Sequence, residues 1–143
     1  MIDYIGAIGE ETTVTIKTLN GDITSKSLAI EGLEVSSAHD PNKCEWLKLP
    51  RVYSKDDLPV DNDEVSTPER LKEWGYLNSI ADKFDGRRKL SIGILIGANC
   101  PKALEPIEVI PAQNDGPYAF KTKLGWCVVG PISHEDNQKI VSC

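Results

Sequence analysis

Thr12-Thr-Val-Thr-Ile-Lys-Thr-Leu-Asn-Gly-Asp-Ile-Thr-Ser-Lys-Ser-Leu-Ala-Ile30 holds two strand-like runs on either side of an Asn-Gly pair. In the first run Val14 and Ile16 fall on one face, and Thr13, Thr15 and Lys17 on the other, because successive side chains of a strand point to opposite sides. Asn20-Gly21 is a strong hairpin signal, since both residue types accept the positive φ that a tight two-residue turn needs. The return strand runs from Ile23 to Ile30, with Leu28 and Ile30 on a common face, and Glu31-Gly32 breaks it before a short Leu33–Val35 piece. A hairpin over residues 12–35 is therefore the first fixed point of a mainly β chain.

Downstream, residues 36–66 are rich in turn signals: Asp40-Pro41, Leu49-Pro50, Leu58-Pro59 and the acidic run Asp61–Glu64 all disfavour long regular elements. Trp46–Leu49 and Val52-Tyr53 read as short strands. A helix begins at Ser66-Thr-Pro-Glu69, where either hydroxyl can cap, Pro68 suits the first turn and Ser66 with Glu69 has capping-box spacing. Leu71, Trp74, Leu77 (or Tyr76), Ile80 and Ala81 then recur at helical spacing, and Gly75 weakens the middle, which leaves open one helix or two short pieces. Leu90–Ile96 is apolar and unalternating, which predicts a buried strand. Pro101–Leu104 predicts one helical turn, Ile107–Ile110 a strand, and Tyr118–Thr122 with Gly125–Val129 a final hairpin closed by Gly130-Pro131. Residues 133–143 form a polar tail. The expected organisation is one domain over residues 1–132: the hairpin, a helical insert over 36–89, core strands over 90–132, and then the tail.

Composition narrows the function classes. The 143 residues carry a formal net charge of −6 and a pI near 4.9. A nucleic-acid binder needs a basic face for phosphate, and docking on anionic lipid needs one too, so neither partner is expected. No apolar run approaches the ~20 residues of a membrane-spanning helix. The N-terminus lacks the basic region and apolar stretch of a signal peptide. Cys44, Cys100, Cys127 and Cys143 show no metal-ligand spacing with His39 or His134; four reduced thiols in an intracellular, cytoplasmic protein without metal or cofactor are expected.

Local motifs for catalysis are weak. The glycine pairs Gly6/Gly9 and Gly93/Gly97 lack both a P-loop lysine and the third glycine of a dinucleotide fingerprint. Cys127 and His134 have no third group to orient them as a nucleophile pair, and Cys127 reads as a small core residue. Gly86-Arg-Arg-Lys89 reads as a solvated loop, and Trp46 and Trp74 as core anchors.

Taken in order, several weak motifs form a pattern: Leu49-Pro-Arg-Val-Tyr53, Glu73-Trp-Gly-Tyr-Leu77, Leu95-Ile-Gly97, and Leu124-Gly-Trp126 followed by Gly130-Pro131. The chain resembles the aspartic peptidase domain of Pao/BEL-type retrotransposon polyproteins over residues 10–132. That resemblance implies a retropepsin-like acid-protease barrel, here partial, with a short helical insert. It implies that Leu19, Asn20, Gly21 and Asp22 correspond to the tip of a flap over an extended peptide or polyprotein substrate. Leu95, Ile96 and Gly97 would be the strand packed behind the catalytic loop, with Gly97 allowing close backbone approach. Leu124, Gly125 and Trp126 would be structural, Trp126 as a core anchor.

The resemblance also defines a departure. Such peptidases pair two aspartates from Asp-Ser/Thr-Gly loops, one activating water and the other polarising the scissile carbonyl. This sequence contains neither Asp-Ser-Gly nor Asp-Thr-Gly; its Asp-Gly pairs, Asp85-Gly86 and Asp115-Gly116, are turn-like. No catalytic residue is assigned, and Met1 reads as an internal start downstream of the acid loop. Three expectations follow: a fragment of a retroelement peptidase domain inactive alone, a non-catalytic peptide- or partner-binding module, or a decaying frame. The apolar window Ser91–Ile96 adds an expectation of homodimerisation or self-association.

Overall fold

A computed structural model describes residues 6–38, 45–58, 65–84 and 92–132. Strands β1 (Glu10–Thr18) and β2 (Gly21–Ile30) pair antiparallel from Glu10↔Ala29 to Thr18↔Gly21. The predicted hairpin is present, but its turn is not the expected one. Leu19 and Asn20 are the two loop residues, and only Gly21 takes a positive φ, +120°. Thr18 supplies the missing rigidity: its hydroxyl donates to the Gly21 carbonyl oxygen at 2.7 Å and accepts from the Asn20 amide at 3.3 Å.

Burial along β2 is abrupt. Gly21–Lys26 are exposed, whereas Ser27, Ala29 and Ile30 are buried. The base of the hairpin is held by the short strand β5 (Val52–Tyr53), which pairs with Ala29 and Ile30. There the Ser27 hydroxyl donates to the Ser54 carbonyl oxygen and the Leu28 amide donates to the Ser54 hydroxyl oxygen, both at 2.8 Å. Arg51 joins Glu10 and Glu31 across the same base. The distal half of the ribbon projects beyond this anchor. Beside it, β3 (Glu34–Val35) and β4 (Leu47–Lys48) form a second, two-stranded sheet.

The helical insert forms as its caps dictate. Helix α1 (Pro68–Lys72) starts at Thr67, whose side chain accepts from the Arg70 amide at 3.5 Å. Gly75 does split the helix: a 3₁₀ turn (Gly75–Leu77) intervenes before α2 (Asn78–Ala81). Leu71, Trp74, Leu77, Ile80 and Ala81 point to one side and are buried. They pack on the inner face of a third sheet, β6 (Glu108–Ile110), β7 (Tyr118–Thr122) and β8 (Gly125–Val129), through Ala119, Ile110, Trp126 and Val128. Helix α3 (Pro101–Leu104) is the single turn expected after the Leu-Ile-Gly segment.

The chain is mainly β, and its described residues form small antiparallel sheets and no closed barrel. Two expectations need correction. Within the predicted strand Leu90–Ile96, residues 92–96 belong to no strand, and Ile94 and Leu95 are exposed. Trp46 is 62% exposed and anchors nothing, unlike Trp74. The acidic run Asp61–Glu64, Asp85-Gly86, the Arg87–Lys89 cluster and the tail with His134 lie outside the described residues.

Candidate functional site

A groove of about 200 Å³ runs between Leu49–Tyr53 on one side and Ile94–Gly97 on the other, closed below by Asn99 and Cys100. Ligand pockets for small molecules are usually ~300–1,000 Å³. A groove this small suits one or two side chains of an extended chain.

Its floor follows from the packing beneath it. Leu47, Leu49, Cys100 and Ala103 form a buried cluster, against which Ile96, Val52, Val35, Leu33 and Leu124 pack. Ile96 is therefore drawn inward while its neighbours Ile94 and Leu95 stay exposed, at 38% and 54%. One charged residue, Arg51, lines the groove, and its guanidinium is engaged by Glu10 at 3.1 Å and Glu31 at 3.4 Å. The groove thus offers apolar surface and no uncompensated charge.

The backbone of this segment is the more informative feature. A buried or half-buried main-chain N–H or C=O needs a partner. No hydrogen bond joins Ile92–Ile96 to any other described residue; the first carbonyl in use is that of Gly97, which accepts from Cys100. The β-branched, uncharged run predicted as a strand has the side chains of one but no ladder among the described residues.

The remaining candidate residues fall elsewhere. Leu19, Asn20, Gly21 and Asp22 are all exposed at the tip of β1–β2, with Leu19 extended fully into solvent and Ile16 and Ile23 paired just behind it, 42% and 58% exposed. Leu95, Ile96 and Gly97 line the groove rather than forming a strand. Among the described residues Gly97 is not a point of close backbone approach: a Cβ there would meet only the Asn99 side chain, at 3.4 Å. Leu124-Gly-Trp126 has a clear structural role. Leu124 packs on the cluster under the groove, Trp126 packs on the helical insert, and Gly125 turns the chain between them at φ +134°.

Cys127 is half-buried on the outer face of β8, opposite Phe120, and not in the core. Burial pushes its thiol above the ordinary value of 9.0, and a hydrogen bond with Thr122 partly offsets that. A thiol held protonated in this way is a poor nucleophile. Asp115 is exposed in the turn before β7, and Gly116 beside it packs under Trp74 and Tyr76, so this Asp-Gly pair serves the core. Among the described residues no group of three His, Cys, Asp or Glu side chains could hold a metal ion, and no helix is long and apolar enough to cross a membrane.

One surface escaped the sequence reading. Strand alternation places Val109, Tyr118, Phe120, Cys127 and Val129 together on the outer face of β6–β8. Val109, Tyr118 and Val129 are 40–55% exposed, and the Tyr118 and Phe120 rings stack at 6.1 Å. The signal lay in Val109, Tyr118, Phe120, Cys127 and Val129, which alternate with the inner-face residues Ile110, Ala119, Trp126 and Val128.

Comparison with protein-family models, with curated proteins and with solved structures finds no match for this chain.

Proposed function

We propose that the chain is the flap-and-groove part of a retroelement-type aspartic peptidase domain, that it does not hydrolyse peptides by itself, and that it accepts an extended polypeptide strand along Ile92–Ile96. The observation that carries this reading is the backbone of Ile92–Ile96, which has no hydrogen-bond partner among the described residues and lies beside a narrow groove. Strand addition supplies the hydrogen bonds such a segment lacks, while the groove takes alternate side chains of the incoming strand. The projecting ribbon with Leu19–Asp22 at its tip supports the flap assignment. The ordered Leu-Pro-Arg-Val-Tyr, Leu-Ile-Gly and Leu-Gly-Trp motifs support the family. Sequence supports inactivity: the 143 residues contain no Asp-Ser/Thr-Gly, the loop through which such peptidases pair two carboxylates over one proton. A binding module with no peptidase ancestry is the second reading. The same backbone favours it equally, and the two differ only in origin.

The test uses the full chain and a soluble alternating Thr-Val peptide, followed by amide chemical shifts. Shifts confined to Ile92–Ile96 and the groove walls, with no cleavage of the peptide between about pH 4 and pH 7, are expected. Leu95→Pro removes one amide donor and is expected to weaken binding at least ten-fold. Peptide cleavage sensitive to a statine-type inhibitor would overturn the inactive reading, and the absence of any shift at Ile92–Ile96 would overturn strand acceptance.

A further inference from the structure

We propose that the strand received by Ile92–Ile96 is the same segment of a second copy, running antiparallel with Ile94 opposite Ile94. The inference rests on the strand-accepting reading above and names its partner.

The segment is nearly palindromic about Ile94. Antiparallel pairing at this register sets Ile92 against Ile96 and Gly93 against Leu95. Isoleucine pairs with isoleucine on one face, and on the other the smallest residue lies opposite the bulkiest side chain, so neither face is overfilled. β-Branched cross-strand pairs are favourable units of sheet pairing. Each copy contributes a backbone with no hydrogen bond to the rest of its described chain, so pairing satisfies the facing edge of both at once.

Charge favours the same partner. Each copy carries −6, and two such chains repel unless they meet on uncharged surface. Ile92–Ile96 has no ionisable side chain, so no like charges face each other across the pair. A charged foreign peptide gains nothing in exchange, because Arg51, the one charged residue lining the groove, is engaged by Glu10 and Glu31. A two-fold pairing uses the same patch on both copies, so the paired edge is closed and offers nothing to a third copy. One short strand pair is far smaller than the ~800 Å² per partner of a standard stable interface, so the dimer is a weak, concentration-dependent one.

Sedimentation equilibrium of the full chain tests this directly. The mass is expected to rise with concentration from 15.7 kDa toward twice that value. Ile94→Lys is expected to weaken association at least ten-fold, while Val109→Lys, on the competing outer face of β6–β8, leaves it unchanged; circular dichroism confirms that both variants fold. Under mild oxidation Ile94→Cys is expected to give a disulfide linking residue 94 of both copies, located by peptide mass. Directly opposed Cα atoms lie ~4.5–5.5 Å apart, within disulfide reach. Leu95→Cys is expected to give none, since its symmetry mate is two residues out of register. A dimer lost in Val109→Lys but kept in Ile94→Lys overturns the proposal. A monomer at every concentration that still binds the Thr-Val peptide at Ile92–Ile96 overturns self-pairing and leaves strand acceptance standing. A monomer that binds no peptide overturns both.

Discussion

The Tyr76 hydroxyl donates to the carbonyl oxygen of Pro117 at 2.6 Å, tying the 3₁₀ turn of the helical insert to the entry of β7. Gly116 lies directly beneath this bond. A Cβ on residue 116 would approach the Tyr76 hydroxyl to 2.5 Å and two ring carbons of Trp74 to 2.8 and 2.9 Å. Trp74 in turn donates from its indole nitrogen to the Ile132 carbonyl at 3.1 Å. The insert is therefore keyed into the sheet by aromatic side chains that leave room only for glycine.

Gly116→Ala is expected to destabilise the fold by about 1–3 kcal/mol, because neither ring can withdraw without losing its hydrogen bond. Tyr76→Phe should cost about 1–3 kcal/mol for leaving the buried Pro117 carbonyl without its donor. Urea unfolding followed by tryptophan fluorescence measures both. If Gly116→Ala leaves the midpoint unchanged, the close packing described here is wrong.

Leu71 and Leu77 are fully buried in the same cluster. Either one changed to Ala is expected to cost about 2–5 kcal/mol, for lost burial plus the cavity. Leu19→Ala, at the solvent-exposed tip, should stay within about 0.5 kcal/mol of the parent. A large effect at Leu19 would mean that the tip is covered in solution.

The cap on α1 is a long hydrogen bond, 3.5 Å from the Arg70 amide to Thr67. Thr67→Ala should therefore fall near the low end for cap removal, about 0.5 kcal/mol. Thr67→Asp should recover or exceed the parent, since a carboxylate at a helix start also interacts favourably with the aligned peptide dipoles. A thermal melt of the three proteins orders them.

Cys127 gives the pH prediction. Its folded thiol titrates above 9.0, chiefly because of burial. A raised value means that the folded state holds this proton more tightly than the unfolded chain does. Its contribution to stability is complete below about pH 9 and is lost as pH rises through the folded value. Unfolding midpoints of the parent should fall above pH 9, and those of Cys127→Ser should fall less. At pH 8, alkylation of Cys127 should be slower than that of a free cysteine peptide; equal rates would sink this account.

Much of the architecture was legible because it is local. Thr67-Pro68 announces a helix start, Gly75 a break, and Tyr118–Val129 two strands of matched length. What escaped depends on partners distant in sequence. Ile92–Ile96 has strand composition, but a strand exists only with a neighbour, and composition cannot supply one. Trp46 has the size of a core anchor, yet Leu47 and Leu49, one and three residues further on, take the buried positions. At the candidate site, the Leu-Ile-Gly run reads in the sequence as a strand behind a catalytic loop, whereas the fold sets it along a groove, and the role of Arg51 in neutralising Glu10 and Glu31 needed the fold. The first hairpin was read through Asn20-Gly21 when its actual determinant spans Thr18 to Gly21.

That determinant occurs twice. In β7–β8 the Thr122 hydroxyl donates to the Gly125 carbonyl at 3.3 Å and accepts from the Leu124 amide at 3.1 Å. The arrangement is the one Thr18, Asn20 and Gly21 make in β1–β2, although one turn is in solvent and the other is half-buried. A corner built the same way in both settings draws its geometry from four consecutive residues and owes little to the surrounding fold. Hairpins so specified can close in ~1–10 μs, well before Tyr76 finds Pro117 across a separation of 41 residues. Closure of both ribbons is thereby written into two four-residue words, whereas docking of the helical insert onto β6–β8 depends on residues far apart in the chain.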